Sequence, residues 1–152
     1  MSIITYKRLS IRNLLEIKPL WEELNKIHLA DSVYFKEHYQ SFSFESRSSK
    51  WMKLKEDNIF ILVAQTDNLT SIGYCVSTID IDKNAEIDSL FVDTNFRKQG
   101  IGHELIEKSK EWLQKNSCKS IRLSVSYGHE NVLPFYLKSG FFPRLTTLEF
   151  KK

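Results

Sequence analysis

A single domain over residues 1–152, of the α/β class and more closely α+β, with a mixed, mostly antiparallel central sheet, is predicted by three features. Extended runs rich in β-branched and aromatic residues follow one another from Ile59 to Val92 with short links, which makes an antiparallel meander. An amphipathic helical pattern from about Gly100 to Asn116 then separates two strand-like runs. Such a strand–helix–strand unit is parallel, with a right-handed crossover. Ahead of both lies a helical stripe of Leu14, Leu15, Ile17, Leu20, Trp21, Leu24 and Ile27.

Ile3 to Arg8 reads as the first strand, because Ile, Thr and Tyr favour extended structure. Pro19 interrupts the helical stripe, so the spacing predicts a kink or a helix that begins near Pro19 as a first-turn residue. Ala30 to Ser49 is rich in Ser, Phe and Tyr and poorly periodic. Short helices are expected around Val33 to Gln40 and, through Trp51 and Leu54, over Ser48 to Lys55. Strands are expected at Ile59–Ala64, Ile72–Ile81 and Ala85–Val92, with turns at Thr66–Asn68 and Asp82–Asn84. Beyond the long helix, Ile121–Ser126 alternates as a strand and Asn131–Lys138 reads as a helix stopped by Gly140. Leu145 to Phe150 reads as a last strand, and no linker or repeat divides the chain.

Composition excludes several classes. A hydrophobic content of 41% with 27% charged residues is that of a soluble globular protein. No run approaches the ~18 consecutive apolar residues of a membrane span. The apolar part of Met1–Arg8 is too short for a signal peptide, so a cytoplasmic location is expected. Cys75 and Cys118 stand far apart and read as small hydrophobes. His28, His38, His103 and His129 show no ligand spacing, so no metal is expected. A net charge of +3, with acids interleaved among the bases, gives no reason to expect a nucleic-acid or membrane partner.

The most informative stretch is Arg97-Lys98-Gln99-Gly100-Ile101-Gly102, between the strand-like Glu86–Val92 and the helix pattern of Ile101, Leu105, Ile106, Ser109, Trp112 and Leu113. N–H groups in a helix's first turn lack intrahelical partners, and the dipole makes that end positive. Glycines let a phosphate come close, so a phosphorylated cofactor is expected at this turn. A dinucleotide fingerprint would need glycine where Leu105 stands, and a nucleotide P-loop would need Lys and Ser or Thr where His103 and Glu104 follow Gly102.

What survives is R-x-x-G-x-G after Leu90-Phe91-Val92, followed downstream by Phe135-Tyr136-Leu137-Lys138-Ser139-Gly140-Phe141. These blocks, in this order and spacing, resemble the GCN5-related N-acetyltransferase (GNAT) family, which binds acetyl-CoA. The resemblance spans roughly the whole chain and is concentrated between Ala85 and Arg144. It implies a sheet splayed open at the acetyl-CoA site, between Ala85–Val92 and Ile121–Ser126.

The resemblance places the pantetheine arm along Leu90, Phe91 and Val92, with a main-chain N–H near the thioester carbonyl, where such a donor stabilises an oxyanion. It places the pyrophosphate on Arg97, Lys98, Gln99, Gly100, Ile101, Gly102 and His103, mainly on backbone amides. Tyr136 matches the general acid that protonates the departing thiolate, with Tyr127 a weaker competitor. Seven residues before that tyrosine the family commonly has an asparagine; here His129 holds the position and Asn131 follows two residues later. Either can touch the cofactor.

An amine of pKa ~10.4 must lose a proton before it attacks, so a base is sought. Glu86 and Asp88, two apart on one strand, share a face, and either qualifies; a glutamate of some relatives falls at Ser124, which cannot serve. Tyr34, Phe35, His38, Tyr39, Phe42 and Phe44 form either an aromatic amine pocket or part of the core. Glu37 or Glu45 could neutralise an ammonium group.

The implied function is direct acetyl transfer from acetyl-CoA to a primary amine of a small molecule or peptide, in a ternary complex. The alternative is a non-catalytic acyl-CoA-binding or regulatory module on the same fold. A homodimer through the C-terminal strands is compatible with the resemblance.

Overall fold

The computed structural model describes residues 3–152; Met1 and Ser2, the start of the N-terminal segment read above, lie outside the described residues. Five strands form one sheet in the order β1 (Thr5–Leu9), β2 (Ile59–Gln65), β3 (Ser71–Ile79), β4 (Asn84–Val92) and β5 (Ser120–Leu123). The first four pair antiparallel and β4 pairs parallel with β5, as the meander and the strand–helix–strand unit require.

The helical stripe resolves into two pieces. Ile11–Ile17 is a 3-10 segment opened by Ser10, whose hydroxyl accepts from the Arg12 N–H at 3.3 Å. Helix α1 (Lys18–Asp31) then starts with Pro19 in its first turn, where a missing N–H costs nothing. Two short helices follow, α2 (Lys36–Ser41) and α3 (Phe44–Trp51). The second begins earlier than the apolar pattern of Ser48–Lys55 suggests, because the Ser43 hydroxyl accepts from the Ser46 N–H at 3.0 Å and sets the cap there. On this side of the sheet Trp21, Leu24, Phe44 and Trp51 pack on Ile61, Val63, Val76 and Phe91.

The opposite face is covered by α4 (Ile101–Lys115), whose Ile101, Leu105, Ile106 and Leu113 pack on Leu62, Cys75 and Ile87. After β5 the chain makes a turn at Glu130–Val132 and enters α5 (Leu133–Lys138), which ends before Gly140.

Further differences from the sequence reading lie at the ends of two strands and in the C-terminal run. β3 stops at Ile79 rather than Ile81, because Asp80 Oδ1 accepts from the N–H groups of Asp82 at 2.9 Å and Asn84 at 2.8 Å and turns the chain sooner. β5 ends at Leu123 rather than Ser126, since its pairing with β4 ends at Ile87. The expected strand Leu145–Phe150 does not form. Among the described residues no strand lies alongside to complete a ladder, and Leu148 and Phe150 are 90% and 86% exposed.

Candidate functional site

Two irregularities open the sheet at one place. The β3–β4 register passes from Val76 opposite Ser89 to Ser77 opposite Ile87, which leaves Asp88 as the extra residue of a β-bulge. On the other edge, β4 meets β5 only from Asn84 to Ile87. From Asp88 to Val92 that edge therefore lacks a strand neighbour, and its main-chain groups face the opening. Leu90 and Val92 pack toward α4, whereas Phe91 belongs to the core under α1 and α3.

Beside the opening is a cleft of about 450 Å³, walled by Glu86–Leu90 of β4, Leu123–Ser126, His28 of α1, Tyr39 of α2, Arg47 of α3 and Tyr136 of α5. Glu86 and Asp88 do share this face, as their spacing predicts. Their environments differ. Asp88 accepts from Trp51 Nε1 at 2.8 Å and from Thr78 Oγ1 at 3.1 Å, so each carboxyl oxygen already holds a donor. Burial nonetheless holds its pKa above the ordinary carboxylate range. Glu86 has no ion-pair or hydrogen-bond partner among the described residues, and its pKa is raised by burial first and by the Asp88 charge second. Glu86 is the carboxylate free to take a proton.

Tyr136 lines the same cleft, and its hydroxyl has no hydrogen-bond partner among the described residues. Burial raises its pKa, with the Cys75 thiol adding to the shift, so the hydroxyl keeps its proton at neutral pH. Tyr127 lies elsewhere, 63% exposed and stacked on Tyr34 with ring centroids 5.7 Å apart. Ser124 is part of the cleft wall, and Ser126 exchanges a 2.9 Å hydrogen bond with the Tyr39 hydroxyl where the strand was expected to continue.

The basic turn precedes α4. Lys98 adopts a φ of 65° and Gly100 a φ of 80°, a conformation glycine accepts without strain. The first helical bond runs from the Glu104 N–H to the Gly100 carbonyl at 3.0 Å, which leaves the N–H groups of Ile101, Gly102 and His103 without acceptors among the described residues. Gly102 lies against Phe135, where an added Cβ would come within 3.1 Å of the ring. Arg97 folds back, its Nε donating to the Val92 carbonyl at 3.0 Å and its guanidinium lying 5.5 Å from the Phe91 ring centre. Lys98 and Gln99 are exposed on the turn.

His129 also lines the cleft, but its Nδ1 lies 2.7 Å from Asp31 Oδ2 at the end of α1. Asn131 is exposed on the following turn, outside the cleft wall. The aromatic segment divides between the two roles open to it: Phe44 is buried at 2% exposure in the core, while His38, Tyr39 and Phe42 face the cleft. Glu45 pairs with Lys18 at 2.7 Å, and Glu37 sits in the first turn of α2 outside the cleft wall.

Two cleft residues escape sequence reasoning. His28 continues the buried stripe of Trp21 and Leu24 along α1, which was the available signal. Its Nδ1 is buried without a partner, and its pKa is lowered to about 4 by burial first and by the adjacent His129 second, while Asp31 opposes the shift. Arg47 reaches the site because α3 begins at Phe44, a boundary that apolar periodicity did not place. Among the described residues no cluster of three or more metal-ligating side chains occurs.

Fold and site together define an α+β protein whose sheet opens between a turn with three unpaired N–H groups and a polar cleft. The chain belongs to the acetyltransferase (GNAT) family, whose model matches residues 21–141. It is 29% identical over 123 residues to an uncharacterized N-acetyltransferase of Methanocaldococcus jannaschii, a match that covers 72% of this chain and 53% of that protein. The chain thus spans about half the length of the curated relative it matches. Among solved structures it is similar to the PaiA N-acetyltransferase of Thermoplasma acidophilum in complex with coenzyme A, with TM-score 0.75, 24% identity, and coverage of 95% of this chain and 93% of that one. It is also similar to an aminoglycoside acetyltransferase from an uncultured soil metagenomic sample, in complex with sisomicin, with TM-score 0.72, 18% identity, and coverage of 98% and 95%. At these identities the likeness is one of fold.

Proposed function

We propose that residues 1–152 form one N-acetyltransferase domain that moves the acetyl group of acetyl-CoA to a primary amine by direct attack in a ternary complex. The observation that carries this reading is the coincidence of the β4–β5 opening with an unpartnered Tyr136 hydroxyl and an unpartnered Glu86 carboxylate in one cleft. The three N–H groups of Ile101, Gly102 and His103 suit a pyrophosphate, and the edge of Leu90, Phe91 and Val92, which has no strand neighbour and holds Arg97 at the Val92 carbonyl, suits the amides of a pantetheine arm. When bound, acetyl-CoA supplies the activated acyl group as a thioester.

The chain's own residues divide the remaining work. Glu86 takes the proton of the incoming ammonium and so provides the neutral nucleophile. A main-chain N–H of Leu90–Val92 donates to the negative charge that develops on the acyl oxygen. Tyr136 gives its proton to the sulfur as the carbon–sulfur bond breaks, the newly acylated nitrogen releases its second proton to solvent, and Tyr136 recovers one from solvent. His129 sides with the acceptor wall through Asp31, and neither it nor Asn131 is needed to hold the pyrophosphate in this reading.

The test is thiol release from acetyl-CoA with and without a panel of primary amines. Buried Cys75 contributes no prompt thiol signal, and a protein-only control removes that of Cys118. Amine-dependent release is expected. Tight acetyl-CoA binding with no amine-dependent release would instead identify a non-catalytic acyl-CoA-binding module.

Two further readings attach to this proposal. A cytoplasmic location follows from the sequence reading alone; separately, no described helix is long and apolar enough to cross a membrane. The exposed apolar side chains of Leu145, Leu148 and Phe150 would let a second copy pair through its tail, and sedimentation of a Leu145→Lys, Leu148→Lys variant tests that dimer.

A further inference from the structure

Arg47 stands in the cleft with no acidic partner. It lies one turn into α3, and one Nη2–H donates to the Asp88 carbonyl at 2.7 Å. Its guanidinium lies 4.9 Å from the ring centre of Trp51, a side chain 1% exposed and itself bonded to Asp88. The fork is therefore held in place by a bulge carbonyl and an immobile aromatic face. A guanidinium carries five N–H donors and keeps its charge at every accessible pH. One donor is used, and among the described residues no carboxylate comes within ion-pair distance of the rest. The Asp88 carboxylate makes no ion pair with Arg47, and its two oxygens accept instead from Trp51 and Thr78.

Glu86, on the same wall, is the mirror case: a solvent-exposed carboxylate without a bonded cation. Lys50 and Arg122 influence it only at longer range, as does Arg47 itself. A ligand complementary to both carries an ammonium and an anion. The anion is singly charged, since a dianionic phosphate would meet one cation against two carboxylates. A planar carboxylate also matches the fork in a bidentate fashion. The cleft volume of about 450 Å³ suits a small molecule.

We propose that Arg47 binds a carboxylate of the acceptor, so that the substrate class is a small molecule bearing both a primary amine and a carboxylate. This rests on the amine-acetylation reading above and narrows it.

The test uses the unbranched ω-amino acids from glycine to 6-aminohexanoate, each beside its primary amide, on the wild-type chain, Arg47→Gln and Arg47→Lys. Two readouts are taken: kcat/KM with acetyl-CoA, and equilibrium binding by calorimetry in the presence of CoA. At the chain length that spans Glu86 to Arg47, the acid is expected to bind about tenfold or more tighter than its amide. Arg47→Gln should collapse that ratio toward one, and Arg47→Lys should retain part of it. Comparing ratios cancels the lower amine basicity of the amides. The proposal is overturned if the wild-type chain binds no acid better than its amide, or if the preference survives Arg47→Gln unchanged. The wild-type comparison needs no variant, so misfolding of either variant leaves it decisive. Acid-selective binding without turnover of any amine would overturn the acetyl-transfer reading and leave the carboxylate site standing.

Discussion

His129 Nδ1 lies 2.7 Å from Asp31 Oδ2, and this contact ties the loop after β5 to the last turn of α1 across the mouth of the cleft. Gly128 packs on the Asp31 carbonyl beside it, and the His28 ring meets His129 edge-on at 5.1 Å. The acceptor wall and the segment that carries Tyr136 are thereby held together. The pair is partly exposed, so Asp31→Asn should cost roughly 1 kcal/mol of stability. Its larger effect should be a rise in acceptor KM with cofactor affinity unchanged, measured by titrating each substrate separately.

His28 gives a pH prediction whose sign is fixed. Its pKa falls from 6.5 in the unfolded chain to about 4 in the fold, so between those values the unfolded state binds more protons. The stability it contributes is complete above pH 6.5 and is lost as pH falls toward 4, on the order of 3 kcal/mol at most. Glu86 and Asp88, with raised pKa values, oppose this trend as pH falls. His28→Leu should therefore flatten or invert the wild-type loss of stability over that interval, measured by urea unfolding at several pH values. An identical pH dependence in the two proteins would show that His28 binds its proton equally well in the folded and unfolded chain.

Glu86→Gln should lower turnover by ~10²-fold at neutral pH and remove the acid limb of the pH–rate profile. In the wild-type chain that limb should lie above the ordinary carboxylate range, because burial and the Asp88 charge raise the Glu86 pKa. An unchanged limb in the variant would transfer the role of base elsewhere, with Asp88 the nearest candidate.

Trp51→Phe keeps the ring but removes the indole N–H, leaving Asp88 Oδ2 without the donor now 2.8 Å away. The cost should be about 1–3 kcal/mol, measured by denaturant unfolding. Because Asp88 is the bulge residue, turnover should fall as well, as the main-chain donors of β4 lose their alignment. Loss of stability with full turnover would show that the bulge does not depend on this bond.

Gly102→Glu should abolish CoA binding. Its side chain would enter the space now bounded by Phe135, and its charge would oppose a pyrophosphate at Ile101–His103. Calorimetric titration with CoA reads this directly, and normal binding would remove the loop from the cofactor site.

The sheet and its crossover were legible in the sequence because strand order follows from short links and one amphipathic helix. Cleft residues on β4 were legible for the same reason, since alternation put Glu86 and Asp88 on one side. Asp88 as a bulge was not, because nothing in Asp88-Ser89 differs from ordinary strand sequence and the extra residue appears only in the register with β3. Arg47 and His28 were hidden in a poorly periodic region and a buried stripe, where side-chain direction depends on tertiary packing. The final run Leu145–Phe150 is rich in Leu, Thr and Phe, a composition that favours extended structure but does not show whether a strand lies beside it.

The most direct measurement is thiol release from acetyl-CoA by the wild-type chain and by Tyr136→Phe at saturating amine, with CoA affinity measured on both. Amine-dependent release by the wild-type chain, reduced ~10²-fold in the variant at unchanged CoA affinity, is the predicted result. Equal turnover in the two proteins, or release indifferent to amine, would contradict proton donation by Tyr136 to the departing thiolate in this cleft.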